Sequence, residues 1–355
     1  MFVLYDKETM KIPVKVWLEN EKELEASCRE QALHLANLPF LAGPVCLMPD
    51  THAGMGMPIG GVIASEDVII PNAVGVDIGC GMAYTETGIR ADDLRQIMTG
   101  SGNLVQAIIG DIMRNVPVGF AHHKQPMPSY VLDRALDEMD KYEKDGELLG
   151  QLDAGYFQIG TLGGGNHFIE LQEDDEGFLS VMIHSGSRHF GKSVCDYFHQ
   201  KARALNQRWY SQVPDSYRLA FLPVDSPEGQ QYLNWMQLSM DFAAENREKM
   251  MLAVIPGAMG SYSYMVMGLG NEDSFCSSSH GAGRRYSRKG AMEAFTCEEV
   301  ILDLERRGVV LGKKGKADVA EESRFAYKDI EIVMENQKDL VIPVKRLKTI
   351  GVVKG

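Results

Sequence analysis

Apolar residues in "EKELEASCREQALHLANLP" (21–39) recur at three- and four-residue spacings and stop at Pro39, which predicts a helix. A strand-like run, "IPVKVWL" (12–18), precedes it. From Val45 to Thr87 the texture changes to short apolar runs divided by glycine and proline, as in "PVCLMPD", "IGGVIAS" and "VIIPNAVGVDIGCGMAYTET". These predict β-strands joined by functional loops. Residues 91–153 are charged and helical in pattern, "SYVLDRALDEMDKYEKD" (129–145) most clearly. Strand texture returns over 156–186 and helical texture over 190–251. A glycine-rich block (256–290) leads to two helices and a terminal strand, "VKRLKTIGVVKG". The pattern predicts a mixed α/β fold with substantial sheet, and one domain over 1–355 rather than two.

Composition agrees with a soluble globular chain: 355 residues, 45% hydrophobic and 24% charged. No apolar run reaches the ~18 residues of a membrane span, and the N-terminus lacks the pattern of an export signal. The six cysteines (28, 46, 80, 195, 276 and 297) show no paired spacing, so a disulfide framework is not expected and a reducing cytoplasm fits. The net charge of −13 disfavours nucleic acid in general, so an RNA or DNA partner requires a local basic cleft. "GAGRRYSRKG" (281–290) and "RRGVVLGKKGK" (306–316) are candidates, with solvated helix faces and turns as the structural alternative.

Five segments join glycine to metal-binding or nucleophilic side chains: "MPDTHAGMGMPIGG" (48–61), "VGVDIGCGM" (74–82), "GTLGGGNHFIE" (160–170), "IHSGSRHFG" (183–191) and "CSSSHGAGR" (276–284). Singly, each reads as easily as a turn, a packed cysteine or a satisfied histidine. Together, Asp77, Cys80, His167 and His184 offer oxygen, sulfur and two nitrogens. A thiolate can bridge two divalent ions, and ions ~3.5–4 Å apart clamp both oxygens of a phosphoryl displacement. A single structural zinc fits less well, since such sites favour several cysteines at short spacing. His280 sits among small residues where a bulky partner can approach, and imidazole can act as a covalent nucleophile. Asn166 stands in a loop rich in backbone N–H donors, suited to phosphate.

These segments, with "PGAMGSYSY", "GLGNEDSFCSSSHGAGR" and the final "VKG", resemble the RtcB family of RNA-splicing ligases from about Val14 onward. The resemblance implies a mixed α/β single domain built around a large β-sheet core with surrounding helices. It implies an enzyme using GTP and two Mn²⁺ ions to join RNA ends bearing a 3′-phosphate or 2′,3′-cyclic phosphate to 5′-hydroxyl ends. His280 would carry GMP as a phosphoramidate and pass it to the RNA 3′-phosphate. Attack by the 5′-hydroxyl would then expel GMP, and a cyclic phosphate must first be opened by hydrolysis. By position, Asp77, Cys80 and His167 look like one manganese shell, with Cys80 bridging to a second ion that includes His184. The nucleotide pocket would comprise Asn166, His167, Phe168, Ile169, Glu170, Pro256, Gly257, Ala258, Met259, Ser263, His280, Gly281, Ala282, Gly283, Tyr327 and Lys354. Arg188 and Arg284 are candidate RNA-phosphate contacts or structural ion pairs. Further partners implied are RNA and an archease-like activator, with no membrane.

One feature departs from the family. A segment containing a His-His-Asn motif normally precedes the Pro-Gly-x-Met-Gly element, but here "NREKMMLAVIPGAMGS" runs straight through. Either the segment is deleted, leaving one metal short of a ligand, or residues are missing at a join near Met250–Leu252. The intact remaining motifs favour the second; His52 is the one nearby substitute ligand. Two alternatives to ligation stand beside it: a metal-dependent hydrolase of cyclic phosphodiesters, and a non-catalytic RNA-binding relative.

Overall fold

Four strands from the first part of the chain form one sheet: β1 (Phe2–Leu4), β2 (Val14–Val16), β3 (Val45–His52) and β4 (Ile59–Val62), paired in that order. The computed structural model describes residues 1–100, 102–142, 146–253, 262–313 and 319–354. β2 and β3 run parallel, which requires a crossover, and α1 (Ala26–Ala36) supplies it. Val14, Val16, Val45 and Leu47 close a core against Leu35 and Ala36 of that helix. The helix expected over 21–39 is therefore shorter, because Asn20 caps a separate turn at Glu21–Glu23.

The larger sheet contains β5 (Gly81–Arg90), β6 (Phe168–Glu173), β7 (Phe178–Ser185), β8 (Tyr262–Gly268), β9 (Val310–Gly312) and β10 (Val341–Lys354). Its order is β8-β10-β6-β7-β5, with β9 parallel to β10 and every other pair antiparallel. The registers set Met82 opposite His184, His184 opposite Phe168, and Phe168 opposite Lys354. One row thus crosses four strands, and the chemically interesting residues lie in it or just before it.

Strand side chains alternate between faces. Ile169, Leu171, Val181, Ile183 and Val353 pack with Val105, Ile109 and Ile112 of α2 (Leu104–Asn115). A second core forms where α3 (Arg188–Arg208) meets α4 (Pro227–Ala253), through Phe190, Phe198, Trp235 and Phe242. Among the described residues no helix is long and apolar enough to cross a membrane.

Three expected elements differ. "VIIPNAV" was expected as strand, yet Pro71–Val74 is helical, since proline's fixed φ suits the first helical position. The helical run over 91–153 breaks at 116–128, where Pro117, Pro126 and Pro128 deny helix hydrogen bonds. Helical texture over 190–251 divides at 209–226, while α4 continues through the junction at 250–252 to Ala253.

α4 carries three successive polar clamps, all read from sequence only as helix. Glu245, fully buried, accepts hydrogen bonds from Ser129 Oγ and the N–H groups of Tyr130 and Val131. Asn246, also buried, accepts from Gly160 N–H (2.7 Å) and Thr161 N–H (3.1 Å) and donates to Ser185 Oγ and the carbonyls of Thr161 and Gly186. Arg247 Nη1 donates to Gly79 O and Ser185 O, each at 2.8 Å. Asn246→Ala orphans several of these buried groups at ~1–3 kcal/mol each. A circular-dichroism melt should show a fall of at least roughly 5 °C, and coincident melting curves would show that the clamp adds no stability.

Candidate active site and metal centre

The loop 74–80 answers why glycine surrounds Asp77 and Cys80. Gly75, at φ 101°, ends the Pro71–Val74 helix and donates to Pro71 O. Ile78 is buried in the α3–α4 core, and a turn closed by Cys80 N–H to Asp77 O (2.9 Å) brings Asp77 and Cys80 to the sheet's end. Gly79 takes φ 76° because the loop presses on α4: a Cβ there would lie 2.9 Å from Met240 Cα. Gly186, after β7, lies so close to Asp77 that a Cβ would sit 2.2 Å from both carboxylate oxygens.

The ligand atoms of Asp77, Cys80 and His167 all lie within 4.8 Å of one another. Cys80 Sγ is 3.1 Å from His184 Nε2 and 3.6 Å from His167 Nε2. His167 Nδ1 is 3.0 Å from Leu162 O, so it carries the proton and donates, leaving Nε2 with a lone pair. That lone pair faces Asp77 Oδ2 at 2.9 Å, a geometry that needs a proton or a cation between the two atoms.

Electrostatics point the same way. Burial pushes the Asp77 carboxyl up, but His167, Cys80 and Arg188 outweigh it and hold it below the usual range. Burial, then the Asp77 charge, push the Cys80 thiol far up. Burial, reinforced by His167, Lys354 and His280, brings His184 down to about 3, so its imidazole is neutral. A carboxylate, a thiol costly to ionise alone and two imidazoles form a donor set that a divalent cation completes. Of the four sequence-predicted ligands, Asp77, Cys80 and His167 form a group that could hold a metal ion, and His184 adjoins it through Cys80.

His280 lies beside this cluster on the 280–284 loop, its side chain 64% exposed. Its Nδ1 is 2.9 Å from Oδ2 of Asp50, a fully buried residue of β3 whose carboxylate has no hydrogen-bond partner among the described residues beyond this contact. Asp50 raises the His280 pKa against the opposing effect of burial. The loop lies against β3, since a Gly283 Cβ would fall 2.3 Å from Asp50 O. Lys328 fixes the same stretch by donating to Pro49 O (2.9 Å) and Thr51 O (2.8 Å).

Lys354, buried, pairs with Glu322 at 2.9 Å and donates to Gly165 O. Glu322 also meets Arg284 (3.0 Å) and the Tyr327 hydroxyl. Burial raises the Glu322 carboxyl, but Lys354, Tyr327 and Arg284 overcome it, so it is ionised. Arg284 is held by this network, and Arg188 by Thr161 Oγ1 (3.1 Å) and Gly119 O (3.3 Å); both serve as braces here. Asn166 is exposed and Phe168 half-buried at the site's edge, with Lys354 Nζ 5.7 Å from the Phe168 ring. Ile169 points into the core beneath. Gly281 and Ala282 continue the His280 loop. Ser263 pairs with Leu347, seven positions before Lys354, and so lies roughly 20 Å along the sheet at ~3.3 Å per residue. Pro256, Gly257, Ala258 and Met259 lie outside the described residues. His52 turns its Nδ1 to Asp50 O (2.9 Å).

Sequence reading missed Asp50, Glu322, Asn246 and Arg247. The first lies within a segment already singled out for its histidine; the others sit in helical or connecting runs where a charged residue carries no local signal.

Residues 31–254 and 251–355 match tRNA-splicing ligase RtcB. The chain belongs to the RtcB family. It is 32% identical to the RNA-splicing ligase RtcB of Escherichia coli K12, over 98% of each chain. It is 27% identical to the tRNA-splicing ligase RtcB of Nanoarchaeum equitans over 98% of this chain and 96% of that one. The RNA-splicing ligase RtcB of Mycobacterium bovis is 29% identical over 92% of this chain and its own full length. The first of these alignments extends over 412 positions against 355 residues here, so that RtcB relative carries residues without a counterpart. The two matched stretches of the RtcB family meet at 251–254, beside the abrupt join in the sequence.

Glu170 gives this site a pH signature. It is buried beside Thr349 Oγ1 (3.3 Å) and Gln172, and burial, against the effects of Thr349, Gln172 and Lys354, raises it to about 8. Its folded value exceeds the ordinary 4.5, so the folded state keeps a proton that the unfolded state releases. The associated stability is complete below about pH 4.5 and is lost as pH rises through about 8. Glu170→Gln removes this dependence: its Tm should fall less than wild type between about pH 5 and 9. Parallel Tm–pH profiles for the two proteins would refute the assignment.

Proposed function

We infer that this RtcB-family chain is an RNA ligase acting in RNA splicing or repair, and that it works through a nucleotidylated His280. The observation that carries the reading is the Asp50–His280 pair beside the Asp77–Cys80–His167–His184 cluster. Asp50 holds the proton on Nδ1, which leaves the Nε2 lone pair exposed as the nucleophile. Attack of Nε2 on the α-phosphorus of GTP forms the N–P bond and releases pyrophosphate. The positive charge that develops on the ring is offset by Asp50, as a carboxylate offsets imidazolium in hydrolytic triads. GMP then passes to an RNA 3′-phosphate, and the 5′-hydroxyl of the second RNA displaces it.

Two Mn²⁺ ions would be held by Asp77, Cys80 and His167 on one side and by Cys80 and His184 on the other. When bound they supply positive charge that offsets the phosphate oxygens. Asn166 and the backbone N–H groups of 163–165 orient those phosphates, and Lys354, anchored by Glu322, adds a cation at the same edge. Phe168 offers the nucleotide a partly exposed ring. Tyr327 and Glu170 shape the pocket from below, and the segment 256–259 belongs to its far wall. RNA bearing a 3′-phosphate or 2′,3′-cyclic phosphate is the substrate, with an archease-like activator as partner and the cytoplasm as location.

Incubation with GTP labelled at the α-phosphate and Mn²⁺ should transfer acid-labile label to the protein. His280→Ala abolishes the label, and Asp50→Asn slows its appearance by roughly two orders of magnitude or more. Active, metal-loaded protein that opens cyclic phosphates without acquiring label would favour the hydrolase reading. A second check is thermal: MnCl₂ should raise the Tm of wild type and leave Cys80→Ala unmoved, since only a ligand of the native state stabilises it.

A further inference from the structure

Residues 116–128 join α2 to the helix Tyr130–Asp137 without regular structure, yet they are pinned at close intervals. Val118 bridges Gly163, Gly119 N–H donates to Gly163 O (2.8 Å), and Arg188 Nη2 donates to Gly119 O (3.3 Å). His123 N–H donates to Phe157 O (3.0 Å). Between these pins Phe120 stands wholly in solvent, and no other large apolar side chain among the described residues is as exposed. Exposed His122 and Lys124 follow it at two and four positions. The anchoring Gly163 stands three residues before Asn166 and four before His167, so the loop that carries Phe120 is tied to the segment bearing a candidate metal ligand. Across the same glycine loop, the Arg288 guanidinium lies 2.6 Å from where a Gly165 Cβ would be.

An apolar ring held away from every core forgoes the gain of burial. The pins at Gly119 and His123 prevent it from folding back, so the ring is presented and not merely left over. A flat π surface with cations nearby, on a chain whose net charge is −13, matches the two features by which single-stranded nucleic acid is gripped: base stacking and local phosphate attraction.

We propose that Phe120 is a base-stacking platform for the single-stranded RNA end entering the site, with the 118–124 loop forming one wall of its approach. This rests on the ligase reading above. Stacking orients the strand by a nucleotide short of the reacting phosphate, so Phe120 is a positioning residue and takes no part in bond making.

The test is anisotropy of a short fluorescein-labelled single-stranded RNA ending in a 3′-phosphate, bound to the full chain. Phe120→Ala should weaken binding roughly tenfold, Phe120→Leu should behave likewise, and Phe120→Trp should keep wild-type affinity. Stabilisation of Phe120→Ala by MnCl₂ with GTP should equal that of wild type, which separates lost stacking from lost fold. Trp17 and Trp235 are buried but Trp209 is exposed, so the Phe120→Trp protein is made with Trp209→Phe, and RNA-dependent quenching of its fluorescence reports stacking directly, even if the alanine variant fails to fold. Unchanged affinity in Phe120→Ala, or full affinity in Phe120→Leu, overturns the platform alone. An unquenched tryptophan in an RNA-saturated Phe120→Trp protein does the same. Failure of the unsubstituted protein to bind RNA would remove the ligase reading together with the platform.

Discussion

Strand register is the constraint on which the centre depends. Met82, His184, Phe168 and Lys354 stand abreast across four strands, and Cys80 and His167 precede two of them by a few residues at most. Because successive strand residues face opposite ways, a slip of one position in β7 would turn His184 into the α2 core and bring Ile183 to the site in its place. The apolar face formed by Ile169, Ile183 and Val353 therefore does two things at once. It stabilises the sheet, and it fixes which residues face the chemistry.

Around this row the protein spends polar residues of α4 on holding loops. Asn246 and Arg247 tie the 160–161 and 79–80 segments to the end of β7, so Asp77 and Cys80 are braced from behind by backbone hydrogen bonds. Ligand side chains need such support, since a carboxylate and a thiol close on one ion only if their geometry is enforced. The same logic explains Glu322, whose ionised carboxylate gathers Arg284, Tyr327 and Lys354 into one network at the site's edge.

Much of the centre was legible in the sequence because glycine and metal-binding side chains are adjacent there. Asp77, Cys80, His167, His184 and His280 all announce themselves within short motifs, and the structure gathers them. Their supports were not legible. Asp50 acts on a residue 230 positions away, and Asn246 and Arg247 lie in a helix whose pattern records only its apolar face. The fold class was clear from alternating textures, whereas boundaries at Pro71 and over 116–128 depended on proline geometry that periodicity alone underweights.

The centre draws on chain segments from Asp50 to Lys354, and each piece is held by another far away in sequence. No contiguous stretch contains even a rudimentary version of it. Such a centre cannot be transplanted as a cassette between unrelated scaffolds, nor assembled stepwise from a functional fragment. It is inherited with the whole fold or not at all.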